Sequence, residues 1–155
     1  IILSFIFISL IALLQEREKG IVHEFDFFKL NFKYKYIDKI YINELILNKL
    51  TIENILKENV DQETLKKQKI GYLFTSDQFE DKVSNKKYFN LEFPEKQVIL
   101  KIKDFSNFEN CDFILIFFET GKITTNQMII LEKYLSPYKE KILGWFFIDK
   151  ERKLS

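Results

Sequence analysis

The sequence has few residues of the types that carry most metal, redox and nucleophilic chemistry. Cysteine occurs once, at Cys111, so an intrachain disulfide is impossible and a thiol-rich metal site is excluded. His23 is the only histidine, which removes most metal sites and makes any Ser/His/Asp triad depend on that one residue. We therefore predict a protein of a reducing compartment, with no catalytic, cofactor-binding or metal-binding residue.

An excess of charge of one sign is also missing. The chain has 24 basic and 23 acidic residues, for a net charge of +1, and no run concentrates Lys and Arg as a phosphate backbone would require. Nucleic acid is therefore not a predicted partner. With 155 residues, of which 46% are hydrophobic and 30% charged, the chain suits one domain folded around a substantial core.

The N-terminal residues 1–14 are apolar except for Ser4 and Ser9, and residues 15–19 then turn abruptly polar. A bilayer span needs roughly 20 apolar residues. Because the only methionine is Met128, we interpret the chain as a fragment that begins inside a transmembrane helix. The alternatives are a buried helix and a signal peptide, but neither a basic n-region nor a small-residue cleavage site is visible.

Basic residues after the apolar run predict its orientation. Those within about 20 residues of the run bias that flank toward the cytoplasm, and they are Arg17, Lys19, Lys29, Lys33 and Lys35. We predict the end of a transmembrane helix at 1–14, a juxtamembrane segment at 15–36 and a cytoplasmic α/β domain at 37–155. In the juxtamembrane segment, Phe25, Phe27 and Phe28 either anchor it at the membrane interface or pack against the domain.

Hydrophobic periodicity outlines the first half of the domain. A helix is predicted over Glu44–Lys57, with Leu45, Ile52, Ile55 and Leu56 on one side. A strand is predicted at Ile70–Thr75. Residues Asp61–Lys67 form a second short helix or a surface connection, and Lys82–Pro94 is expected to run over the surface.

The last third is the most regular part. Strands are predicted at Val98–Ile102, at Phe113–Phe118, whose continuous apolar run is typical of a strand covered on both faces, and at Ile142–Ile148. Thr124 and Gln127 have the spacing of a capping box. The helix Thr125–Leu135 that follows places Met128, Leu131 and Leu135 on one stripe. Strand, helix and strand in this order predict a parallel βαβ unit. The fold class is α/β, a small mostly parallel sheet flanked by helices.

Several stretches resemble a known family, the chain-length determinant proteins or polysaccharide co-polymerases. Residues Leu14–Glu24 resemble the junction after their second transmembrane helix. Similarity to the end of the cytoplasmic domain in cyanobacterial members and in related bacterial tyrosine kinases is carried by Cys111–Ile116, Glu119–Lys122, the following helix and Ile142–Asp149. The resemblance covers residues 1–28 and 97–150 best.

The resemblance implies an inner-membrane protein that regulates the chain length or export of a surface polysaccharide such as O-antigen or exopolysaccharide. Its partners would be the membrane, further copies of itself, and the polymerase or export machinery. The domain would be a scaffold and not an enzyme. One alternative is a kinase-like ATP-binding domain whose nucleotide loop is missing from this stretch. Another is a soluble binding module whose first helix belongs to the core.

The nucleotide loop of the related kinases has the pattern G-x-x-x-x-G-K-[ST]. The nearest string, Gly121-Lys122-Ile123-Thr124, lacks the first glycine and has Ile where the hydroxyl should be, so we interpret it as a strand-to-helix turn with a cap. The chain end, Lys153-Leu154-Ser155, shows no tyrosine cluster either.

We interpret the remaining potentially reactive residues as structural or solvent-exposed and not as catalytic. Asp112 and Asp149 stand at strand boundaries, where carboxylates are usually solvated turn residues. Cys111 precedes a buried strand and is interpreted as a structural thiol. Trp145 is interpreted as core, and His23 as an exposed juxtamembrane side chain.

A first prediction concerns nucleotide. The segment from about Gly20 onward should show no magnesium-dependent affinity for ATP, because no glycine loop supplies the array of N–H donors that a triphosphate needs. Isothermal titration calorimetry with and without magnesium tests this. A micromolar, magnesium-dependent constant would support the kinase alternative, whereas weak, salt-sensitive binding would not.

Overall fold

The structure, a computed structural model, describes residues 25–41, 45–60, 68–75, 97–101 and 107–149, together with Ile11. Its elements are α1 (Phe25–Asn31), β1 (Tyr36–Tyr41), α2 (Leu45–Asn59), β2 (Ile70–Phe74), β3 (Gln97–Lys101), β4 (Phe113–Glu119), α3 (Thr125–Leu135), a 3₁₀ helix (Ser136–Lys141) and β5 (Ile142–Asp149). The predicted membrane segment 1–14 lies outside the described residues, apart from Ile11. No helix in the described part of the chain is long and apolar enough to cross a membrane.

The strands form one sheet in the order β1-β5-β4-β2-β3, and every neighbouring pair is parallel. This confirms the α/β class and the βαβ unit, since α3 connects the adjacent parallel strands β4 and β5. Parallel neighbours need such crossover connections because each strand must restart at the same edge of the sheet. The preceding membrane helix remains a prediction.

Both faces of the sheet are covered, and alternation along β4 divides its side chains between two cores. Ile114, Ile116 and Phe118 lie in the core beneath α1 and α3, on what we call the α3 face. Leu115 and Phe117 lie in the core beneath α2, on the α2 face. All five side chains are fully buried. A strand between two apolar cores must be apolar at successive positions, which is the pattern that Phe113–Phe118 shows.

Trp145 of β5 joins the N-terminal elements to the α3 face. Its indole N–H donates to the carbonyl of Tyr34 at 2.9 Å. Its ring lies 6.2 Å from that of Phe28 and 4.9 Å from that of Tyr36. Phe28 is fully buried and Phe25 and Phe27 pack against the same core. Packing against the domain is therefore the observed role of these three phenylalanines.

The predicted elements agree with the observed ones to within one or two residues at each end, and α3 agrees at both ends. The sequence did not predict α1 or β1. Among the described strands, β1 lies at the edge of the sheet beside β5, and its side chains are mostly half-buried, so it lacks a clear alternation. The segments Asp61–Lys67 and Lys82–Pro94 lie outside the described residues.

Gly144 lets β1 approach β5. Its φ is 149°, and a Cβ built there would lie 2.5 Å from the carbonyl oxygen of Lys35 and 2.7 Å from Cγ1 of Ile37. The next residue, Trp145, donates its backbone N–H to that same Lys35 oxygen at 2.9 Å. Any side chain at this position must therefore displace the backbone that Trp145 binds.

We predict that Gly144→Ala lowers the free energy of unfolding by about 3 kcal/mol, because the methyl group meets backbone and not a flexible side chain. Gly121→Ala is the matched control: its φ is 69°, so alanine there costs backbone strain of about 1 to 2 kcal/mol. Urea unfolding of both variants measures the difference. Equal losses would contradict the close approach at Gly144.

Candidate functional site at the carboxyl edge of the sheet

Open parallel sheets bind ligands in the crevice beyond the carboxyl ends of their strands, where successive connections run in opposite directions. From β2 the chain places β3 on one side, and then returns to place β4 on the other side of β2. From β4 it continues away from β2 to β5. The switch point of this sheet therefore lies between β2 and β4.

At this point β4 extends further than β2. Phe74, the last residue of β2, is in register with Phe117, and β4 continues to Glu119. The backbone N–H of Thr75 donates to the Phe117 carbonyl at 3.1 Å, and the Glu119 N–H donates to Oγ1 of Thr75 at 3.2 Å. The Thr75 hydroxyl thus replaces the strand partner that β2 no longer provides.

The turn after β4 is held on its other side by β5. Thr120 donates twice to the carbonyl of Ile148, from its backbone N–H at 3.3 Å and from Oγ1 at 3.2 Å. The Lys122 N–H then donates to the Glu119 carbonyl at 3.2 Å, closing a turn that passes through Gly121 with its positive φ. The backbone around Glu119 is therefore fixed on both sides.

The string Gly121–Thr124 is the strand-to-helix turn that the sequence predicts. The Gln127 N–H donates to Oγ1 of Thr124 at 3.2 Å, and the Thr124 N–H donates to Oε1 of Gln127 at 2.8 Å, so the capping box is confirmed. Ile123, at the position where a nucleotide loop would carry its hydroxyl, is buried. The backbone N–H groups of Thr124 and Gln127, at the start of α3, are therefore already hydrogen-bonded to side chains of the protein.

Glu119 is the buried charged residue at this edge, with 6% of its surface exposed. Alternation places its side chain on the α2 face, after Phe117 on the same strand and in register with Ile148 of β5. Oε2 is buried and accepts no hydrogen bond. Leaving a buried polar oxygen without a hydrogen bond costs about 1 to 3 kcal/mol. The fold therefore carries an unfavourable group at the switch point.

Tyr72, on the same face, also has a buried side-chain oxygen, its hydroxyl, without a hydrogen bond. Burial, and secondarily the nearby Glu53, raises the pKa of Tyr72 far above its ordinary value. The phenol is thus neutral at physiological pH, and its orphaned hydroxyl costs less than a charge does. Glu119 differs from Tyr72 in carrying a carboxyl group, and it is the charged residue that the described ranges bury most completely.

The two aspartates that the sequence places at strand boundaries, Asp112 and Asp149, have partners within the protein. Asp112, at the amino edge of β4, accepts the Lys69 N–H at 2.7 Å. Asp149, at the carboxyl edge of β5, forms a 2.7 Å ion pair with Lys39. The two lie at opposite edges of the sheet, so the fold does not bring them together. His23 lies outside the described residues.

Cys111 is buried, as the sequence predicts, with 1% of its surface exposed. Its thiol donates to the Asn107 carbonyl at 3.4 Å, and the Lys141 ammonium donates to the Cys111 carbonyl at 2.8 Å. Burial raises the pKa of the thiol, and the charge of Lys141 offsets only part of this. The arrangement is that of an unreactive thiol.

Comparisons of the chain with family models, with curated proteins and with solved structures found no match. The site must therefore be interpreted from its own chemistry. Within the described ranges, no three His, Cys, Asp or Glu side chains converge as a metal site would require. What the edge offers is one buried carboxyl group, on a backbone that Thr75 and Thr120 help to hold. Sequence analysis missed Glu119, although a carboxylate directly after a run buried on both faces was a visible signal.

We predict that Cys111 reacts with a disulfide reagent at least about tenfold more slowly in the native protein than in denaturant. A raised thiol pKa means less thiolate at pH 8, so the native rate should climb as the pH increases beyond the ordinary thiol pKa. Because the chain has one cysteine, absorbance of the released thiolate reports this site directly. A native rate equal to the denatured rate would contradict the burial.

Proposed function

We propose that this chain is the cytoplasmic, non-catalytic part of an inner-membrane protein that regulates the chain length or export of a surface polysaccharide. The supporting observation is that β4, α3 and β5 form a parallel βαβ unit over the stretch that resembles the cytoplasmic domain of chain-length determinant proteins. The apolar run at 1–14 and the basic residues after it support the membrane attachment and its orientation.

In this proposal the domain acts as a scaffold. Its two cores hold a rigid sheet, and the membrane segment gathers copies of the chain beside the polymerase or export machinery. The domain contributes shape and contacts and performs no turnover. Its loss should therefore alter how long the polysaccharide grows and not whether sugars are joined.

We predict that deleting residues 20–155, with the membrane segments kept, broadens or shifts the length distribution of the surface polysaccharide on a gel without abolishing its synthesis. Ile116→Asp should act in the same direction, because a carboxylate on a fully buried strand costs on the order of several kcal/mol and unfolds a marginal domain.

Lys139→Asp is the matched control, since it introduces the same side chain at a position that is largely exposed. It should leave the distribution unchanged, as should Cys111→Ser and His23→Ala. An unaltered profile after the deletion would refute the proposed function. A loss of activity from Cys111→Ser or His23→Ala would reveal an active site in its place.

A further inference from the structure

The Glu119 side chain carries a carboxyl oxygen that the fold buries without a hydrogen bond. None of the ion pairs among the described residues includes this carboxyl group. The contrast with Asp149 is direct, because that carboxylate stands at the same edge, on the neighbouring strand, and has the Lys39 ammonium 2.7 Å away. Among the described residues, the fold therefore pairs the Asp149 carboxylate with a cation and gives Glu119 no such pair.

The position of Glu119 is also fixed in advance. Thr75 holds its N–H, the turn to Lys122 holds its carbonyl, and Thr120 ties the next residue to β5. A buried polar group without a hydrogen-bond partner, carried by a backbone that is held on both sides, is typical of a binding site, where some stability is lost in exchange for a preorganised ligand contact. Its location at the β2/β4 switch point is where parallel sheets take ligands.

We propose that Glu119 is the anionic anchor of a binding site at the β2/β4 switch point that takes a small organic cation, a primary ammonium or a guanidinium. This inference does not rest on the proposed function. Ionised carboxylates only accept hydrogen bonds, and both of these cations only donate them. Guanidinium pairs with a single carboxylate through two parallel hydrogen bonds, so one acidic residue suffices.

A free divalent metal ion fits this edge less well. Calcium takes six to eight oxygen ligands, and magnesium is bound through carboxylates together with substrate phosphates. Glu119 is the one buried acid at this point in the described ranges, and no metal-ligating group of three converges there. An anionic ligand would face a like charge in a weakly screened setting.

The α2 face behind the carboxylate is aromatic. Phe117 stacks on Phe74 with ring centroids 4.8 Å apart and on Phe146 with centroids 5.1 Å apart. These rings lower the local dielectric, which strengthens a charge-assisted hydrogen bond to Glu119 relative to one in water. They also offer an apolar wall for the alkyl stem of an amine.

The test uses the full chain in a nonionic detergent and two probes, agmatine and n-butylamine, titrated by calorimetry against sodium chloride of equal ionic strength. We expect saturable binding of at least one probe to the native protein. Glu119→Gln, which keeps the shape and removes the charge, should weaken that binding by at least about tenfold. Asp112→Asn is the matched control, because it removes a carboxylate from the opposite edge, and it should bind the probe like the native protein.

Thermal unfolding without probe supplies a second readout. Because no cation of the described residues pairs with the Glu119 carboxyl group, Glu119→Gln should melt at a higher temperature than the native protein. Three results would overturn the proposal: a lower melting temperature for Glu119→Gln, which would mean that the carboxylate already has a partner; equal probe affinity in both proteins; or Glu119-dependent binding of magnesium chloride with none of either amine.

Discussion

Burial of β4 on both faces is the constraint on which the structure depends. Its side chains alternate between two cores, so every neighbour of the strand must also present apolar groups on two sides. β5 and β2 meet this demand through Phe146, Trp145 and Phe74. Helices are then required above and below, since neither face of the central strands can meet water. The layered α/β arrangement follows from one run of six apolar residues, Phe113–Phe118.

The N-terminal elements α1 and β1 are attached to the sheet through the close approach of β1 to β5. Gly144 leaves room for the Lys35 carbonyl, which accepts the Trp145 N–H, while the indole binds the carbonyl of Tyr34. One residue of β5 thus holds the connection between α1 and β1 through two hydrogen bonds.

Glu119 departs from the rule that buried strand positions carry apolar residues. An otherwise apolar strand ends in a buried carboxylate, whereas the equivalent end of β5 carries Asp149 in an ion pair. Natural proteins depart from consistent patterning mainly where function requires it. The hydrogen bonds of Thr75 and Thr120 fix the backbone around Glu119, which distinguishes this residue from a polar residue in a loosely packed segment.

By itself, the sequence determined the elements whose periodicity is local. α3 with its capping box, the doubly buried strand β4 and its partner β5 follow from spacing within a few residues, because side-chain alternation and capping act over that range. Only the tertiary structure decided the strand order, the membership of α1 and β1, and the isolation of Glu119. These depend on contacts between residues far apart in the chain, such as Lys35 with Trp145 and Thr75 with Glu119, and no local pattern encodes which distant group will neutralise a charge.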